Sequence, residues 1–405
     1  FWLENLPDTT AIPVDFETDC GNEERGTNNS CHKDNLESSL KTISRTFTQQ
    51  ETETLLTTAN KPYHTLPQEL LLAAVAKTIS NITQSQNIQL TMEGHGREDL
   101  CKDLDITRTL GWFTTLYPLS LEIPRHEEKT LITNIKERLR EVSPHGLSYG
   151  LLRYLQSETE IPDNLPDISF NYLGQVRNET GEDKFFSLLN QDTGLAHDPN
   201  GLRSHIIAIV VEGELRVDWL YSSNLHQSKT IDKWADDFGR NLQQILHHCT
   251  TPGVGEYTPS DFPLVNLNQS AISSLTTKYP NLEDIYPLSP LQSGMLFHTL
   301  YSPDDGVYFE QLTGKITGLL NISAFSTAWQ TVVDRHPVLR SAFVWENQEP
   351  PIQVVNNSVK FSVTEQDWRD LPPTQQQSQL QKYLSADKKQ GFELNVAPLM
   401  RFTLI

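Results

Sequence analysis

From Ile88 the chain alternates: Ile88, Leu90 and Met92 are apolar, while Gln89, Thr91 and Glu93 are polar. A period of two predicts a strand with its apolar set in a core and its polar set on the opposite face. The run ends in Glu93-Gly94-His95-Gly96-Arg97-Glu98, where two glycines let the backbone leave the sheet sharply. This spacing presents Glu93, His95 and Arg97 together at a strand end. Upstream, Leu71, Leu72, Val75 and Ile79 recur at helical spacing behind Thr65 and Gln68, which stand in capping-box positions, and predict an amphipathic helix over 66–82. Ile168 to Leu173 predicts a second half-buried strand, ending at Gly174-Gln175. His205 to Glu212 and Leu215 to Ser222 flank Gly213-Glu214 as a hairpin. After Thr230, read as an N-cap, Ile231, Trp234, Phe238, Leu242 and Ile245 hold the 3.6-residue period of a helix that closes a first domain near Cys249.

Other stretches carry weaker patterns. Residues 13–38 are polar and read as a loop or crossing segment. Asp105 to Pro118 combines an aromatic run with an isolated Arg108, as in a core strand with a salt bridge. Ser143 to Gly150 is turn chemistry before a short helix at Leu151 to Leu155. Residues 251–281 are rich in Thr, Pro, Gly, Ser and Asn and predict an interdomain linker, semi-rigid or flexible, with one short helix after Asn268. A second domain opens at 282. Ser289 as N-cap and Pro290 at the first helical position start a helix through Tyr301. Tyr308 to Thr317 reads as a strand, and Ile322 to Arg335 as a helix with Phe325, Trp329, Val332 and Val333 inward. Leu339 to Trp345 with Ile352 to Val355 reads as a hairpin. Alternating helices and strands imply α/β layers.

A length of 405 residues suggests two or three domains, and 37 % hydrophobic with 9 % aromatic residues suffices to bury cores. Lys and Arg number 32 against 52 Asp and Glu, a formal charge of −20, which disfavours nucleic acid or an anionic membrane as partner. The four cysteines, Cys20, Cys31, Cys101 and Cys249, show no CxxC spacing and make no disulfide framework, as expected of a reducing cytoplasm. No apolar run approaches the roughly 20 residues that span a bilayer, and no signal pattern opens the chain. The sequons at Asn81 and Asn178 then carry no glycosylation message. Because the chain starts at Phe1-Trp2 and stops at Leu404-Ile405 within an apolar run, it reads as a fragment.

Candidate chemistry centres on Glu93. A carboxylate beside Arg97 would stay ionised and could act as a base. The alternative is a charged turn closing a hairpin, since ion-pair networks also perturb titration. His247-His248 is a weaker candidate: Pro252 stands where an acidic partner would follow, and imidazoles at a helix C-terminus have a sufficient dipole explanation.

Four motifs in order, Glu93-Gly-His-Gly-Arg-Glu98, Arg108-Thr-Leu-Gly-Trp-Phe-Thr-Thr-Leu-Tyr-Pro118, Pro144-His-Gly-Leu-Ser-Tyr-Gly150 and Phe170-Asn-Tyr-Leu-Gly-Gln175, closely resemble the epimerization domains of nonribosomal peptide synthetases. Tyr286-Pro-Leu-Ser-Pro-Leu-Gln-Ser-Gly-Met295 and Arg335-His-Pro-Val-Leu-Arg-Ser-Ala-Phe343 resemble the first two motifs of their condensation domains. The resemblance implies chloramphenicol-acetyltransferase-like α/β lobes around a channel. Residues 1–250 would be the C-terminal lobe of an epimerization domain and 282–405 an incomplete N-terminal lobe of a condensation domain. It further implies that Glu93 exchanges the α-proton of a thioester, with Arg97 near its carboxylate, His95 in the same motif, and Asn171 and Tyr172 lining the channel. Strand alternation sends those last two to opposite faces. Arg335 and Arg340 would hold their lobe together. The family's His-His-x-x-x-Asp-Gly motif has no match in residues 1–405, so the fragment alone is expected to be inactive.

Also implied are substrates on the phosphopantetheine arm of a carrier protein, no directly bound cofactor or metal, and carrier and adenylation domains as partners. The condensation unit would take a D-configured donor and an L-configured acceptor. Two other functions stay open: a condensation-type acyltransferase repeat without epimerase activity, and a noncatalytic docking or scaffold unit of the same fold.

Overall fold

The computed structural model describes residues 2, 12–16, 39–97, 105–124, 127–142, 146–155, 161, 165–176, 204–302, 306 and 308–405. The chain divides into two compact units, Phe1–Glu256 and Tyr257–Ile405. The first comprises, in chain order, β1 (Leu40–Thr46), α1 (Gln49–Leu56), α2 (Pro67–Thr83), β2 (Asn87–Gly94), β3 (Thr115–Glu122), α3 (Glu128–Glu141), α4 (Leu147–Leu155), β4 (Ile168–Val176), β5 (Ser204–Val211), β6 (Glu214–Ser222) and α5 (Ser228–Thr250). Its strands form one mixed sheet in the order β1-β6-β5-β4-β2-β3. β2 runs parallel to β4, and β4 to β5, while the remaining pairs are antiparallel.

One face of this sheet is dry. Ile88, Leu90, Met92, Phe170, Ile206, Ala208, Val217 and Trp219 are buried there with residues of α2 and α5. The alternation predicted for β2 therefore holds on the core side. On the other face Gln89 and Thr91 are also buried, their polar atoms satisfied: Gln89 Nε2 donates to Ser120 Oγ at 3.0 Å and Thr91 Oγ1 to the Pro166 carbonyl at 2.9 Å. The expected β5–β6 hairpin is present, but its turn is Glu212-Gly213, one residue earlier than Gly213-Glu214, because these two take φ of +53° and +84°, the left-handed pair that a two-residue hairpin needs to match strand twist.

Helix starts differ from expectation in an informative way. The capping box at α2 is closed by Glu69, which accepts from the Leu66 amide at 2.8 Å, rather than by Thr65 and Gln68. Glu69 is drawn inward because Arg140 Nε donates to its buried carboxylate at 2.7 Å. Likewise α5 begins at Ser228, before Thr230. The carboxylate of Asp15 caps it, accepting from the Gln227 amide at 2.8 Å and from Thr230 Oγ1 at 2.9 Å. α4 starts at Leu147, earlier than predicted, and residues 143–145 lie outside the described set. At the other end of α5, His248 Nε2 and the Tyr63 hydroxyl are 2.8 Å apart with stacked rings, a packing role that suits the reading of this pair as structural. Burial pushes the neighbouring Cys249 thiol up to about 12; the other three cysteines are outside the described residues.

Two predictions fail within 105–114. This stretch is not a core strand: β3 begins only at Thr115, Arg108 sits exposed in a turn, and Leu110 and Trp112 are 98 % and 91 % exposed. Arg97 holds the carbonyls of Ile106, Thr109 and Gly111, which keeps this stretch a loop until Thr115 pairs with Gly94.

The second unit contains α6 (Gln269–Lys278), β7 (Leu282–Pro287), α7 (Pro290–Tyr301), α8 (Ile322–Arg335), β8 (Ser341–Val344), β9 (Ile352–Asn356), β10 (Val363–Glu365), α9 (Pro373–Gln390) and β11 (Phe402–Leu404). β7, β9 and β8 form an antiparallel sheet in that order, and β10 pairs in parallel with β11. The predicted N-cap at α7 is present, with Ser289 Oγ accepting from the Gln292 amide, and Gln292 Oε1 accepts from the Ser289 amide to complete a capping box. Residues 308–317 are not a strand, since no partner edge pairs with them among the described residues. In α8 only Val333 is buried. Phe325 and Trp329 are half-buried against Phe402, and Val332 is exposed rather than inward.

The expected linker 251–281 is mostly part of this unit. Phe262, Leu267, Ile272, Leu275 and Tyr279 join its core, a short 3₁₀ turn spans Pro259–Asp261, and the Tyr257 hydroxyl donates to the Leu282 carbonyl at 3.0 Å. Its polar composition hid five apolar residues that α6 and the turn direct inward. Arg340, buried, pairs with Glu283 and donates to the Asn356 carbonyl, holding β7, β9 and the turn before β8 together as expected. Arg335 is exposed at the end of α8 and makes no such clamp among the described contacts.

Candidate active site

Parallel pairing places Thr91 beside Ser169 and Met92 beside Phe170, so the next residues, Glu93 and Asn171, face each other at the sheet's C-terminal edge. Asn171 Nδ2 donates to Glu93 Oε2 at 2.5 Å. Burial pushes the Glu93 carboxyl above its ordinary range, and the Asn171 amide acts in the opposite direction by favouring the anion. Glu93 is half-buried. A carboxyl so placed holds its proton to higher pH than an ordinary surface glutamate.

Arg97 does not sit on that carboxylate. The left-handed turn at Gly96, φ +66°, sends it into the 105–114 loop, where its guanidinium donates to the carbonyls of Ile106 (2.6 Å), Thr109 (2.9 Å) and Gly111 (3.3 Å) and lies 4.4 Å from the centre of the Phe113 ring. Arg97 therefore organises a loop, and the expectation that it keeps Glu93 ionised is corrected: burial dominates. His95, exposed, accepts the Arg97 amide at Nδ1 at 3.0 Å and closes the same turn. Tyr172 follows strand alternation to the opposite face and packs against the hydrophobic core. Of the five candidate residues, the structure brings Glu93 and Asn171 into contact. It also pairs Ser169 Oγ with His205 Nδ1 on the same face, a contact that sequence reasoning missed because parallel neighbours leave no local signal. No group of three or more His, Cys, Asp or Glu among the described residues is placed to hold a metal ion, and none of their helices is long and apolar enough to cross a membrane.

Two consequences can be measured. Removing the Asn171 donor leaves desolvation unopposed, so in Asn171→Ala the rising, base-dependent limb of any proton exchange at Glu93 moves to higher pH. A limb that stays in place or moves down contradicts the pairing. At Gly96, a Cβ would stand 1.6 Å from the Phe113 carbonyl oxygen on a left-handed backbone. Gly96→Ala is expected to lower the stability of the first unit by about 1–3 kcal/mol. An unchanged urea midpoint for that unit argues against this packing.

A mixed sheet ending in a paired carboxyl, with these motifs along it, defines a class. A family profile described as "Condensation domain" matches residues 1–263 and 282–405, and the chain belongs to the condensation-domain family. Its fold is the mixed α/β, chloramphenicol-acetyltransferase-like fold of that family, as expected from the sequence. A linear gramicidin synthase polypeptide of Brevibacillus parabrevis is 38 % identical over 415 residues, spanning 100 % of this chain and 5 % of that protein. Bacitracin synthase 1 of Bacillus licheniformis is 34 % identical over 362 residues, spanning 87 % of this chain and 7 % of that protein. Among solved structures, the epimerization domain from the third module of tyrocidine synthetase B matches with a TM-score of 0.52 and 32 % identity, over 61 % of this chain and 54 % of that one.

Proposed function

We propose that residues 1–250 are the C-terminal lobe of an epimerization domain and 282–405 part of the N-terminal lobe of the following condensation domain, in a multimodular nonribosomal peptide synthetase. The observation that carries this reading is the Glu93 carboxyl, half-buried at a strand end and paired with Asn171. The 32 % identity to a solved epimerization domain supports it. The substrate is an aminoacyl or peptidyl thioester on the phosphopantetheine arm of a carrier domain, with carrier and adenylation domains as partners.

In the forward direction, Glu93 as carboxylate takes the proton from Cα. The electron pair of that C–H bond delocalises into the thioester carbonyl, and a proton returns to Cα from the opposite face. Positioned acid-base groups each contribute about 10²- to 10⁴-fold. One carboxyl removes the proton but cannot by itself return one to the far face, so inversion requires a second group outside the contacts described for Glu93. Residues 282–405 then belong to the unit that forms the peptide bond, with selection for a D-configured donor and an L-configured acceptor.

The test uses the full-length synthetase with a loaded carrier domain in D₂O. Deuterium should enter at Cα of the tethered residue, and condensation should run faster from the D-loaded donor. Loading without deuterium entry contradicts the epimerase assignment, while equal rates from D and L donors contradict the selectivity.

A further inference from the structure

The Glu93 carboxyl stands in an aliphatic frame. Leu116 is its partner in β3, and directly opposed residues of an antiparallel pair project to the same face with Cβ atoms about 4.5–5.5 Å apart. Leu116 is 46 % exposed, although Tyr117 beside it is buried. On the far side of Asn171, Ile207 of β5 occupies the same level, half-buried. Just beyond Asn171 the β4 ladder shifts register at a bulge, and Leu173 within it is 53 % exposed.

Among the described residues, the charged groups of this face other than Glu93 are remote or engaged. Asp218, opposite Ile207 in β6, lies three strands from β2, roughly 14 Å at ~4.8 Å per strand. It accepts from Ser44 Oγ at 2.7 Å and from Arg216 Nε at 3.1 Å. His205, one step down β5, is bonded to Ser169.

We infer that this frame selects the residue whose Cα is inverted: the site takes thioesters with apolar side chains, and Leu116 is a specificity-determining contact. This presupposes that Glu93 is the acid-base group. A Cα close enough to pass its proton to the carboxyl, about 3–3.5 Å, carries its side chain one bond away, within reach of Leu116. An apolar chain there buries surface against Leu116, Ile207 and Leu173. A carboxylate or ammonium loses hydration there, and among the described residues the charged side chains of this face other than Glu93 are remote or already engaged.

The experiment measures deuterium entry at Cα in D₂O for leucyl, phenylalanyl, aspartyl and lysyl thioesters on the carrier domain of the full-length synthetase, less the exchange of each loaded carrier alone. Leucyl and phenylalanyl exchange should exceed aspartyl and lysyl by at least about 10-fold. Leu116→Arg, at a half-exposed position, should raise aspartyl exchange relative to leucyl by a similar factor, whereas Leu116→Ala should lower leucyl exchange more than aspartyl exchange. Aspartyl exchange within about twofold of leucyl, or an equal loss on both substrates in Leu116→Arg, overturns the inference while leaving the epimerase reading intact. No exchange on any of the four overturns that reading and the inference with it.

Discussion

In the full-length synthetase, Glu93→Gln should leave carrier loading intact and abolish inversion, lowering Cα proton exchange by about 10²- to 10⁴-fold. The substitution is nearly isosteric. Its amide oxygen can still accept from Asn171 Nδ2, so the 2.5 Å contact across β2 and β4 has a replacement and the strand end keeps its shape. What disappears is the group that takes and returns a proton. The measurement is the D to L ratio in released peptide, together with deuterium content at Cα. A ratio unchanged from the parent assigns the chemistry elsewhere.

Phe262→Ala should destabilise the second unit by about 3–5 kcal/mol and leave the first unit's unfolding unmoved. Phe262 is 2 % exposed, packs on Tyr257 at 5.1 Å between ring centres, and shares a core with Leu267, Ile272, Leu275, Tyr279 and Ile285. Truncation removes that contact area and opens a cavity in a small core. Urea unfolding followed by probes in each unit resolves the two transitions. A loss under about 1 kcal/mol would mean that Phe262 lies on a surface tether, as the composition of 251–281 suggests.

What the sequence revealed and what it hid follow from the range of the forces involved. β2, the β5–β6 hairpin and α5 were legible because alternation, a left-handed two-residue turn and a 3.6-residue apolar period are local signals. Glu93 was legible for the same reason, as the polar end of a strand beside glycines. Its partner was only half so. The resemblance put Asn171 in the channel, but its bond to Glu93 depends on a parallel pairing across 78 positions that no local pattern encodes. Arg97 was misplaced because charge complementarity pointed to the nearest carboxylate, whereas three backbone carbonyls in the 105–114 loop claim its guanidinium. The supposed strand at 308–317 has β-like residues but no edge to pair with among the described strands, and a strand without a partner is only a propensity. In 251–281, prolines and hydroxyl residues masked apolar positions too irregularly spaced to show a period.

The division between Glu256 and Tyr257 bears on how such a protein can be recombined. The Glu256 amide donates to the Pro62 carbonyl at 3.0 Å, and Gly255 approaches Pro62 so closely that a Cβ would lie 2.5 Å from its oxygen, which ties the last residues of the first unit to that unit's own surface. The very next residue, Tyr257, is bonded to Leu282 and packed on Phe262. A chimera spliced by composition, at any point after Phe262 and before Leu282, would pair one parent's Phe262 with another parent's β7 and carry a mismatched core. A graft made at the Glu256–Tyr257 peptide bond keeps each parent's apolar set whole and exchanges units along a boundary the packing already draws.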